Sequence, residues 1–193
     1  MLNENLLTTL TRNLDDNPSL LPVFPLPCLN GRPPVLLLFD HAGLGIDVAY
    51  EKKPTPGGAL VRAALRETTL YCVPQPTPVF AVSDGEVIDV RELRSGARIV
   101  IEHANGWFTT YDGLEYSFIE LARERSVPVK AGDVLGNLGR SRAGPLKPLH
   151  FELWRTIRRQ RFVQVDPIRH MRRWHRIDWN DKPDSCDRAT RVA

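Results

Sequence analysis

The chain has 193 residues, 42% of them apolar, with sixteen prolines and thirteen glycines. That is enough for one domain with a buried core plus extensions, and the density of turn formers excludes an architecture of long helices. The most apolar run, PVLLLF at residues 34–39, is far too short to cross a bilayer. Net charge is +3, but residues 155–176 hold eight arginines against Asp166 alone, about +7, so the rest of the chain sits near −4.

Leu2, Leu6, Leu7, Leu10 and Leu14 predict a short amphipathic helix at the N-terminus. Acids stand there in place of a cationic leader segment, so no standard secretion signal is predicted, and the expected location is cytoplasmic or reached by a non-standard route. A proline-broken approach leads to a predicted strand at VLLLF and then to DHAGLGIDVAY (40–50), whose glycines allow a tight bend. Residues 51–58 read as a loop, and ALVRAALRE (59–67) has a helical apolar period.

From residue 69 the pattern changes to alternating apolar and polar residues, with turn signals such as SDG, RSG, ANG and AGD every eight to twelve positions. This predicts a mainly β, antiparallel domain, a sandwich or half-open barrel. EYSFIELARERS (115–126) reads as a short helical excursion within it. The expected division is an N-terminal extension at 1–68, the β-domain at 69–168 and a basic tail at 169–193. Asp84-Gly85 and Asn105-Gly106 are hairpin-turn residues without chemistry. Cys28, Cys72 and Cys186 form neither a disulfide framework nor a metal knuckle and are expected to be buried or inert thiols of a reducing compartment.

Four motifs in order carry a resemblance: TPVFAVSDGEV (77–87), IVIEHANGWFTTYDGL (99–114), VKAGDVLGNLGRSRAGPLKPLHFELW (129–154) and VDPIRHM (165–171). Together they resemble the lysostaphin-type (LytM-like) zinc metallopeptidases, over roughly residues 77–169 with a looser match at 39–49. The resemblance implies a zinc held by a His-x-x-x-Asp pair and by the second histidine of a His-x-His. It also implies two further histidines that handle protons, one in a Tyr-x-His element and one in the first position of His-x-His. Asp47 matches the acidic metal ligand and His150 the last histidine. Four residues before Asp47 stands Gly43, which has no donor; His41, two residues further back, is the candidate third ligand. The proton-handling positions are Gly113 and Pro148, so no catalytic residue is expected.

The reading that follows is a degenerate, non-hydrolytic domain that binds peptidoglycan or regulates a hydrolase. The alternative is an active zinc endopeptidase cutting peptidoglycan cross-links with His41, Asp47 and His150, and with Asp112 as proton shuttle. Zinc is the one cofactor implied. Trp107 and Tyr111 are candidate groove-binding residues, although Trp107, Phe108 and Trp154 also suit core or groove wall. Val165, Ile168 and Met171 should face inward and Arg169, Arg172 and Arg173 outward, offering a basic patch to an acidic protein partner. His103 reads as a structural turn residue, and His170 and His175 as a solvated face. The segments 78–90 and 127–138 also resemble biotinyl and lipoyl carriers, but no lysine hairpin joins them. A nucleic-acid reading head is likewise missing.

Overall fold

The computed structural model describes residues 22–38, 43–52, 61–63, 71–93, 96–117, 126–138, 148–157 and 161–180. Fourteen strands occupy most of them: β1 (Cys28–Leu29), β2 (Val35–Leu38), β3 (Ile46–Glu51), β4 (Val61–Ala63), β5 (Tyr71–Cys72), β6 (Thr77–Phe80), β7 (Gly85–Leu93), β8 (Gly96–His103), β9 (Trp107–Ser117), β10 (Val127–Val129), β11 (Val134–Leu138), β12 (Leu149–Ile157), β13 (Arg161–Val165) and β14 (Asp178–Trp179). Among the described residues one short α-helix, α1 (Ile168–Met171), follows β13, and Ala104–Gly106 form a single 3-10 turn between β8 and β9.

The main sheet runs β10-β7-β8-β9-β12-β3-β2-β4, antiparallel except for the last pair. Strand β9 is long enough to leave this sheet and pair with β11, which in turn pairs with β6. The result is an open, mainly-β architecture, as the alternation predicts. In β12 the period of two is plain: Leu149, Phe151 and Leu153 are buried, while His150, Glu152 and Trp154 face the other side. Phe151 packs edge-on against Tyr111 at 5.4 Å and against Trp174 at 5.8 Å. Both Phe151 and Tyr111 are fully buried, and each such side chain contributes roughly 1.5–3 kcal/mol of hydrophobic stabilisation. Met171 of α1 is also fully buried, Val165 and Ile168 pack partly against the core, and Arg169, Arg172 and Arg173 are exposed. The chain after α1 is tied back by β14 pairing in parallel with β1, and by His175, whose N–H bonds the Pro22 carbonyl.

Several expectations are corrected. Val61–Ala63 is a strand lying parallel to β2, not part of a helix; pairing with Leu36–Leu38 overrides a weak local helical period. The described parts of the segment between Asp47 and Pro78, β4 and β5, extend the sheet beside β2 and β3. Glu115–Ser117 continue β9, because β11 supplies a partner there; the rest of that predicted helical excursion lies outside the described residues. The N-terminal leucine helix also lies outside them. Cys72 is disulfide-bonded rather than a free thiol, whereas Cys28 is free. Asn105 and Gly106 take positive φ values of 60° and 71°, the geometry of the predicted turn.

Candidate functional site

The face of the sheet opposite the core carries a row of charged side chains fixed by strand register. Asp47 on β3 and Asp112 on β9 are the partners of His150 from either side, and Arg98 on β8 is the partner of Asp112. His150 Nδ1 is 2.8 Å from Asp47 Oδ1, and its Nε2 is 3.4 Å from Glu152 Oε1. The ring lies over Gly45: a Cβ there would stand 2.6 Å from Cε1 and 2.7 Å from Nε2. Hydrogen bonds to Asp47 and then to Glu152 raise the His150 pKa to about 9, against the opposing effect of burial, so the imidazolium is the favoured form at neutral pH. Glu152 is held below the usual carboxylate range by His150 first and by the Trp154 indole, whose N–H donates to Oε2 at 3.0 Å.

Asp112 does not face an open position. Its carboxylate accepts from Arg98 at 2.7 Å, so the candidate proton shuttle is held in an ion pair. Gly113 is an unpaired residue at a register shift between β8 and β9, with φ of 98°. A Cβ on Gly113 would stand 3.2 Å from the Pro148 carbonyl oxygen. The two positions that would carry proton-handling histidines are therefore neighbours, and neither has a titratable side chain.

Zinc requires three converging protein donors at about 2.0–2.2 Å. Among the described residues only two meet, Asp47 and His150. Glu152 sits on the opposite edge of the imidazole, and one ring cannot direct both nitrogens at a single ion. At Gly43 the space for a side chain is taken by Gln164, whose Oε1 lies 3.0 Å from where a Cβ would stand. No group of three or more His, Cys, Asp or Glu side chains suited to a metal occurs among the described residues, and these residues do not fit a three-ligand zinc. His41 lies outside them.

The remaining candidates are placed as follows. Tyr111 and Trp107 are corrected as binding residues: both are buried, Tyr111 completely. The Tyr111 hydroxyl accepts from Val82 N–H at 3.0 Å, and Trp107 lies beneath the Arg155 guanidinium at 5.1 Å with His170 edge-on at 5.7 Å. Their phase along β9 faces the core, which strand alternation alone identifies once the register is known. Phe108 is on the open face instead, 5.1 Å from Phe162, which is 60% exposed. His103 bonds the Asp84 carbonyl through Nδ1 at 2.8 Å and the Thr109 hydroxyl through Nε2 at 2.7 Å, a structural role. Its pKa is lowered, chiefly by burial. Sequence reading missed Gln164, Glu152 and Arg98; only Glu152 had a local signal, its position two residues after His150 on the same strand face.

The model of peptidase family M23 matches residues 67–167. The cell division protein DipM of Caulobacter vibrioides is 32% identical over 82 residues, which are 42% of this chain and 13% of that protein. Among solved structures, a protein from Ruminococcus gnavus assigned as the glycyl-glycine endopeptidase lytM superposes with a TM-score of 0.58 at 24% identity, covering 85% of this chain and 65% of the other. The catalytic domain of lysostaphin from Staphylococcus simulans gives a TM-score of 0.46 at 16% identity over 74% of this chain and 94% of that one. The chain thus spans less than two thirds of DipM and of the Ruminococcus protein, and the structural likenesses speak for fold alone. The family match takes in more than half of the 193 residues, and the four ordered motifs lie almost wholly within it: the chain belongs to peptidase family M23.

Proposed function

We propose that this M23 domain does not hydrolyse peptides and serves instead as a module that binds peptidoglycan or regulates a cell-wall hydrolase. The observation that carries the reading is the pairing of Gly113 with Pro148. Positioned acid–base groups contribute roughly 10²–10⁴-fold each to rate, and both positions are empty of them. The backbone reinforces the loss, since the positive φ at Gly113 disfavours any other residue. Peptidoglycan remains the ligand class that the family supports. DipM's description as a cell division protein supports seeking the partner among proteins of cell division. The disulfide at Cys72 supports a place of work outside the reducing cytoplasm.

A digest of purified peptidoglycan by the full chain, read by muropeptide chromatography, tests this. No new muropeptides are expected, and Gly113→His with Pro148→His is expected to restore none. Robust cleavage that His150→Ala abolishes would sink the reading. Cleavage that also required His41 would favour the zinc endopeptidase alternative, to which the Asp47–His150 approach lends its one support. For the partner, the exposed Arg169, Arg172 and Arg173 favour an acidic protein surface, with attraction reaching about 8–10 Å at physiological salt. Pull-down from envelope extract should weaken at high salt and on changing all three to alanine. Binding indifferent to both would remove the patch as the docking site.

A further inference from the structure

Two residues meet beside the polar row: Gly43, four residues before Asp47, which offers no side chain, and Gln164 of β13, which pairs with β12 along the same edge as β3. Gln164 is the register partner of Trp154, so its side chain shares the open face with His150 and Glu152. Its Oε1 accepts the Leu44 N–H at 3.0 Å, and its Nε2–H donates to Glu152 Oε1 at 3.3 Å. Glu152 in turn holds the Trp154 indole and approaches His150, whose other nitrogen meets Asp47. One carboxamide therefore joins the loop at residues 43–45 to the whole polar row.

We propose that Gln164 is a latch that replaces a metal in shaping this groove: it fixes the Gly43–Leu44 loop to the Glu152–His150–Asp47 row by hydrogen bonds, and the groove floor keeps its form without zinc. The inference rests on the non-hydrolytic reading above and adds how the site holds its shape. Three features give it physical content. A carboxamide has both an acceptor and a donor, which the N–H of Leu44 and the carboxylate of Glu152 respectively require. The contact closes a separation of 120 residues, so it ties two otherwise distant segments. No buried side-chain nitrogen or oxygen among the described residues is left without a partner.

A latch and a metal site give opposite responses to zinc. A ligand that binds only the native state raises its stability by mass action. The melting temperature of the full chain is therefore expected to be the same in EDTA and in excess zinc chloride. The second measurement is hydrogen exchange of the Leu44 amide in the wild type, in Gln164→Met, which keeps the length of the side chain but loses both polar contacts, and in Gln164→Ala. Loss of one hydrogen bond should speed exchange at Leu44 by roughly tenfold. The amides of Val48 and Ala49, held in the β2–β3–β12 ladder, should not change, whereas a merely destabilising substitution would speed them all. Saturable one-to-one stabilisation of the wild type by zinc, lost in His41→Ala, would overturn the latch. So would unchanged Leu44 exchange in both Gln164 variants. Muropeptide cleavage reports separately on the non-hydrolytic reading, because a zinc-binding yet inactive protein would remove the latch and leave that reading standing.

Discussion

His150 and His103 stand two strands apart in one sheet and use the same construction to opposite ends. Each is hydrogen-bonded through both ring nitrogens, and each lies against a glycine, Gly45 just before β3 for His150 and Gly85 on β7 for His103. The partners differ. Two carboxylates accept from His150, and both bonds require an N–H, so the ring is cationic. A carbonyl and a hydroxyl flank His103: the carbonyl can only accept, which places a proton on Nδ1, and burial lowers the ring's pKa and favours its neutral form. The Thr109 hydroxyl lies 3.3 Å from that of Tyr111, which takes the Val82 N–H, and the chain of bonds ends inside the core. Charge on a histidine is thus decided here by what its neighbours can donate or accept. Family position does not predict it.

The sharpest way to break the parallel is to fill the two glycine gaps. A Cβ on Gly85 would lie 2.5 Å from the Glu102 carbonyl oxygen and 2.8 Å from His103 Nδ1. The first of these is backbone inside the β7–β8 ladder and cannot swing away. Gly85→Ala is expected to cost about 3 kcal/mol, measured by urea denaturation. Gly45→Ala meets only side-chain atoms, the His150 ring and Glu152 Cγ. The ring can tilt out towards solvent once its bonds loosen, so a cost of about 1–2 kcal/mol is expected, with Leu44 exchange rising as the Gln164 contact is disturbed. Equal costs at the two glycines would mean that the His150 ring is as tightly enclosed as His103.

Much of this was legible in the sequence, and the limits have physical reasons. Alternation in LHFELW gives both the strand and the open-face phase of His150, because a period of two needs no knowledge of the partner strand. The strand at Val61–Ala63 was not legible, since only parallel pairing with β2 distinguishes it from a helix. Tyr111 is core rather than groove, which the sequence does not separate because β9 has large residues on both phases and register alone decides which is buried; for Trp107 the core reading holds. Gln164 carries no motif: its meaning depends on a hydrogen bond from Leu44, 120 residues away, beside a glycine that offers no side chain. Gly113 and Pro148 were readable as losses, but that they abut, and that Gly113 sits on a bulge with φ of 98°, required the fold.

The smallest expected effect is on pH dependence, and it runs in opposite directions at the two histidines. For His150 the folded pKa of about 9 exceeds the usual 6.5, so the folded state holds the extra proton between those values. Its stabilising contribution is complete below pH 6.5, declines as pH rises and is gone above about 9. For His103 the folded pKa is lowered, so its contribution is complete above 6.5 and declines as pH falls towards the folded value. The carboxylates facing His150 are Asp47, Glu152 and, across the register, Asp112. With the His150 side chain 30% exposed, solvent screens part of the attraction, so the alkaline loss is expected to be roughly 1 kcal/mol. Thermal melts from pH 6 to 9.5 should show wild-type stability falling on the alkaline side, and His150→Gln, which keeps a donor but cannot titrate, should flatten that limb. A limb unchanged by His150→Gln would mean that the ring is neutral in the folded protein, and the contrast with His103 would be lost.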